Sequence, residues 1–179
     1  MMRRFGFVLV LCLSFAGVAA VPGGIYLNVP YVRQPKDGCG AACISMILQY
    51  WSRRDPKLPR IWPSVDSIQH ALYDPKAHGI FASGMEGYFR RQGWRVFAFH
   101  GDWSLLEEHL SKGRPLVVCL REGSTLHYVV VAGMEPEKKA ILVNDPAGGK
   151  LNVLRWEVFE KKWSAENNWT LLALPQPNE

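Results

Sequence analysis

Cysteine is scarce in this chain. Four in 179 residues are too few to staple a small disulfide fold, so a hydrophobic core must do that work. No basic run exceeds two residues, and Arg53-Arg54, Arg90-Arg91, Lys138-Lys139 and Lys161-Lys162 stand as isolated pairs. No aromatic-and-basic stripe accompanies them. The formal charge of +5 therefore marks solvated surface, not a nucleic-acid-binding face. Repeats, low-complexity tracts and Ser/Gly linkers are missing from residues 21–174, which leaves one domain after any leader. Metal-ligand spacing is missing as well: Cys39-x-x-x-Cys43 has no companion His/Cys pair, so no metal or organic cofactor is expected.

What remains is ordinary globular material. Apolar residues make up 48% and charged residues 21%, and the length suits a single domain with a sizeable core.

The first twenty residues read as a targeting segment. Arg3 and Arg4 precede Phe5 to Ala20, an uncharged apolar stretch, and Val18-Ala19-Ala20 supplies the small residues that signal peptidase accepts. The stretch is short for a membrane span, although an uncleaved N-terminal anchor is the alternative. A lipoprotein signal does not fit, because Leu11 before Cys12 is too large. Cleavage leaves residues 21–179 as the folded domain. It removes two arginines and no acid, so the charge falls from +5 to +3. The expected location is the periplasm or the exterior. Three cysteines remain there, Cys39, Cys43 and Cys119. An odd number in an oxidising compartment leaves at least one thiol unpaired.

The order of elements predicts an α+β fold. Asn28 to Val32 is extended, held so by Pro30. Cys39 to about Trp51 is apolar nearly all round, the pattern of a central buried helix, and Asp37 is placed to cap it. A Pro- and Arg-rich loop follows over Ser52 to Pro63. Helices are expected over Ser64 to Leu72, Ser83 to Gln92 and Trp103 to Ser111, with a strand over Trp94 to Phe99. Past Pro115 the pattern turns to β: Leu116–Leu120, His127–Gly133, Ala140–Asn144, Leu151–Leu154 and Trp169–Leu174, with a helix around Glu157 to Trp163. Helices first and an antiparallel meander last is the plan.

Four residues carry candidate chemistry. Cys39 opens the buried helix, where the positive dipole end and unsatisfied N–H groups favour a thiolate. Its neighbours Gly38 and Gly40 leave room for a substrate carbonyl. Gln34, five residues upstream, can donate from its amide and, folded back, could join the Cys39 N–H in holding an oxyanion. His127 opens a later strand and can act as base for the thiol, while Asp145 in Asn144-Asp145-Pro146 can accept its second ring N–H. Singly, each has a plainer explanation: a helical Cys as a small core residue, a strand His as structural, an Asp-Pro as a turn. Their order at the ends of core elements is what suggests a site.

The segment Val29-Pro-Tyr-Val-Arg-Gln34-Pro-Lys-Asp-Gly-Cys39-Gly-Ala-Ala-Cys-Ile-Ser-Met-Ile-Leu48 resembles the signature of the bacteriocin-processing (double-glycine) cysteine peptidase family and its stand-alone relatives. His127-Tyr-Val-Val-Val131 and Val143-Asn-Asp145-Pro-Ala147 match its other two blocks, over about residues 25 to 174. The resemblance implies a papain-like fold with a central N-terminal helix on a C-terminal antiparallel sheet. It implies Cys39 as nucleophile, His127 as base, Asp145 as its orienter and Gln34 at the oxyanion, with a peptide or protein as substrate. Two departures qualify it. The best-known members are cytosolic domains of peptide-exporting transporters, whereas this chain carries a signal peptide, so cleavage after Gly-Gly is not carried over. Cys43, one turn after Cys39, reads as core, and its pairing with Cys119 stays open. An acyltransferase or amidase on the same acyl-enzyme, or a non-catalytic peptide-binding domain, are the alternatives to a peptidase. Oligomeric state is not legible.

Overall fold

The computed structural model describes residues 23–176, so the segment read as a signal lies outside them. β1 (Ile25–Tyr26) leads through an extended segment to α1 (Cys39–Arg54), α2 (Val65–Leu72), α3 (Ala82–Arg91), β2 (Trp94–His100) and α4 (Trp103–Ser111). Then come β3 (Leu116–Glu122), β4 (Thr125–Glu135), a 3-10 turn at Pro136–Lys138, β5 (Ala140–Asp145), β6 (Gly149–Arg155), α5 (Trp156–Ser164) and β7 (Trp169–Pro175). Every predicted helix and strand is present, with ends moved by a few residues.

The sheet is antiparallel in the order β2-β7-β3-β4-β5-β6, and β1 pairs with β4. The expected meander holds only for β3 to β6. β7 returns to lie between β2 and β3, with Val117 opposite Leu171 and Phe97 opposite Leu172. Its core Thr170-Leu171-Leu172-Ala173-Leu174 is buried throughout, as a strand flanked on both edges requires.

α1 is the buried centre. Gly40 to Leu48 have no significant exposure, and the helix packs on β4. Ile44, Ile47 and Leu48 are fully enclosed, and truncating any one to alanine costs about 2–5 kcal/mol. A serine deep in this helix, Ser52, returns its hydroxyl to Leu48 O at 2.9 Å and accepts from Trp62 Nε1 at 2.6 Å. The loop after α1 is thereby tied to the core. Tyr50 similarly donates to Gly113 O at 2.7 Å, fixing the start of β3.

The Asp37 cap is not formed. Gly38 is the N-cap, no side chain caps α1, and Asp37 sits at a left-handed φ of 57°, a conformation Asp tolerates better than most residues. The first N–H groups of α1 thus stay uncapped by side chains.

Candidate active site

Cys39 is the first residue of α1 and is partly exposed. The turn before it is closed by Gly38 N donating to Pro35 O at 3.1 Å, and Ala42 N returns to Gly38 O at 3.0 Å. The two glycines serve packing more than access. A side chain on Gly38 would meet the Pro35 ring at 2.6 Å, and one on Gly40 would press on Ile80 at 3.1 Å. The reason expected for them, an open path to the sulfur, is replaced by close approach of neighbouring elements.

His127 lies on β4 opposite Leu120 of β3. Its Nε2 is 2.6 Å from Asp145 Oδ1, and the two side chains are 15% and 27% exposed, so water screens the pair only in part. Asp145 ends β5, and Oδ1 also accepts from Ala147 N at 2.9 Å. This second bond fixes the carboxylate. Gly148 leaves the space it needs, since a Cβ there would lie 2.7 Å from Asp145 Oδ2.

Protonation follows this geometry. Burial alone would push the His127 imidazole down, but the hydrogen bond to Asp145 and then the Cys39 thiol outweigh it, and His127 is raised to about 9. The same hydrogen bond holds Asp145 below the usual carboxylate range. Cys39, His127 and Asp145 are thus brought together as the sequence suggested. Cys43 and Cys119 are separate, buried free thiols. Burial pushes Cys43 well up and Cys119 to about 12, as suits core residues.

Gln34 reaches the site through its backbone. Its N–H donates to Pro146 O at 3.1 Å, and Tyr31 Oη donates to the same carbonyl at 3.2 Å. The side-chain oxygen is buried without a partner, and among the described residues no protein atom accepts from its amide nitrogen.

Asn144 is the residue that sequence reasoning passed over. It is fully buried. Nδ2 donates to Val29 O at 3.1 Å, and Oδ1 accepts from Leu151 N at 3.0 Å. One amide side chain thus joins the Gln34-bearing segment to the β5–β6 hairpin, one residue before Asp145. The signal was an Asn in an otherwise apolar strand, Ile141-Leu142-Val143. Asn144→Leu should lower the melting temperature, because Val29 O would be left buried without its partner at about 1–3 kcal/mol and the half-buried Leu151 N–H would lose its acceptor. Differential scanning calorimetry measures it, and an unchanged transition would show that the link carries no stability.

Two cavities of about 490 and 480 Å³ open elsewhere, between α1 and the loop at Trp62 and on the face of β2 and β7. Neither is lined by Cys39, His127 or Asp145. Cys39 and His127, each partly exposed, meet at the head of α1.

Comparison with known proteins gives the class first: this is a cysteine peptidase of papain-like fold. The model of the Peptidase_C39-like family matches residues 26–170, and the chain belongs to that family. No curated protein matches the sequence. Among solved structures, the peptidase domain of Streptococcus ComA, a bifunctional ABC transporter involved in quorum sensing, superposes with a TM-score of 0.66 at 19% identity, covering 82% of this chain and 98% of that one. A double-glycine-motif protease from an AMS/PCAT transporter, solved with its leader peptide, gives 0.64 at 21%, covering 86% and 99%. Xylellain, a cysteine protease from Xylella fastidiosa, gives 0.61 at 13%, covering 89% and 88%.

Proposed function

We propose that this protein is an exported cysteine peptidase that hydrolyses peptide bonds through Cys39, His127 and Asp145, with Gln34 at the oxyanion. The observation carrying the reading is the 2.6 Å contact of His127 Nε2 with Asp145 Oδ1, on an imidazole raised by both Asp145 and Cys39. The thiol proton passes to His127, and the sulfur attacks the substrate carbonyl carbon. The oxygen, now negative, is held by the Cys39 N–H and the Gln34 amide. As the tetrahedral species collapses, His127 gives its proton to the departing amine, leaving a thioester on Cys39. Neutral His127 then takes a proton from water, whose oxygen attacks the thioester and releases the carboxylate product and the thiol. Asp145 keeps the imidazole in one orientation and stabilises its charged form.

A peptide-aldehyde or chloromethylketone library, read by mass spectrometry, tests the site directly. Cys39 is expected to carry the adduct, while Cys43 and Cys119 stay unlabelled without denaturant, both being buried. Adducts on either buried thiol would defeat the assignment. The export part of the reading rests on Arg3, Arg4 and the apolar run to Ala20. Sequencing the protein from its native host should find Val21 at the N-terminus, and a retained Met1 would count against cleavage.

A further inference from the structure

β2 is an end strand of the sheet, bonded only to β7. Among the described residues nothing pairs with its outer edge, which therefore presents unused backbone N–H and C=O groups. Arg95, Phe97 and Phe99 alternate along it and share one face with Leu174, Leu172 and Thr170, their partners on β7. That face borders the cavity of about 480 Å³ beside α4, a size that fits a short peptide segment. Its floor is apolar, with Phe97 left 48% exposed. Its charged lining is of one sign, Arg95 and Arg114, with His100 and His109 beside them and no carboxylate. Neither arginine has an ion-pair partner among the described residues, and His109 Nδ1 is enclosed without a hydrogen bond.

An unpaired edge, an apolar floor and two arginines without a direct ion pair fit one kind of occupant. We propose that β2 binds an extended acidic peptide as an added strand, separate from the cleavage site. A strand laid along β2 sets its own alternate side chains opposite Arg95, Phe97 and Phe99. The ligand is therefore an acidic residue followed or preceded, at two-residue intervals, by two apolar ones: Glu-x-Val-x-Val or Val-x-Val-x-Glu, according to strand direction. Arg114 at the rim strengthens the preference for negative charge.

The test uses the full mature chain carrying Cys39→Ala, so that bound peptide is not cut, and fluorescein-labelled peptides of both orders followed by anisotropy. One order should bind. Its Glu→Lys version should bind about tenfold more weakly, the effect of exchanging an attractive for a repulsive cross-strand pair. On an Arg95→Glu variant the preference should reverse, with the Lys peptide now the tighter. N-methylating the alternate amides that face β2 should abolish binding, while methylating the other set should be tolerated. Phe97→Ser, at an exposed position, should weaken both peptides, and circular dichroism checks that both variants are folded. Binding of neither order, no reversal with Arg95→Glu, or equal binding of both N-methylated peptides would each overturn the proposal. Binding of fluorescently labelled myristate without any peptide binding would assign the groove to a lipid carboxylate and overturn it equally.

Discussion

Cys39→Ala should abolish peptide cleavage and leave the melting temperature almost unchanged. The side chain is partly exposed at a helix head, and removing one sulfur there opens no core cavity. His127→Ala should be nearly as severe, on the order of 10⁴-fold or more, since base, proton donor and thiolate partner are lost together. Gln34→Ala should cost about a hundredfold in turnover, the scale for one oxyanion donor. If these residues only packed the fold, activity and melting temperature would fall in proportion across the series. Measuring kcat and thermal unfolding on the same variants separates the two patterns. A stable Cys39→Ala protein that still cleaves would end the proposed mechanism.

Asp145→Asn should move the alkaline limit of activity to lower pH. In the native protein His127 keeps its proton until about 9, so the acid that protonates the leaving amine is lost as pH rises through that value. Without the carboxylate, the leading influence that raises His127 is gone, and burial is opposed by Cys39 alone. The imidazole then loses its proton earlier. A profile of kcat/KM from about pH 6 to about pH 10 reads the shift, and an unmoved alkaline limb in Asp145→Asn would contradict the pairing. Stability has the same sign. His127 is raised in the fold, so its contribution is complete below the ordinary histidine value near about 6.5 and fades as pH climbs through about 9. Asp145 is lowered, so its contribution holds above the ordinary carboxylate range and is lost as pH falls through its depressed value.

Much of this arrangement could be read from residue order. α1 announced itself because Ala41, Ala42, Cys43, Ile44, Met46, Ile47 and Leu48 are apolar on all sides, and all are buried. Cys39 and Asp145 stood out because one begins α1 and the other ends β5, and His127 because it lies near the start of a strand, although β4 begins two residues earlier, at Thr125. Asp37 misled, since Asp before a helix is so often a cap, and here the backbone at Asp37 turns left-handed and Gly38 takes the cap position.

The sequence by itself determined the local elements, the buried helix and the residues with candidate chemistry, because periodicity and turn residues report burial and backbone preference within a few positions. Only the tertiary structure decided that β7 lies between β2 and β3. It alone showed which His127 nitrogen faces Asp145, and that Asn144 and Pro146 bind the Gln34 segment on either side of that carboxylate. These are contacts between segments as many as 115 residues apart. Pairings at that distance are chosen by which closure of the whole chain buries the common core and satisfies its polar groups, and no local pattern encodes that choice.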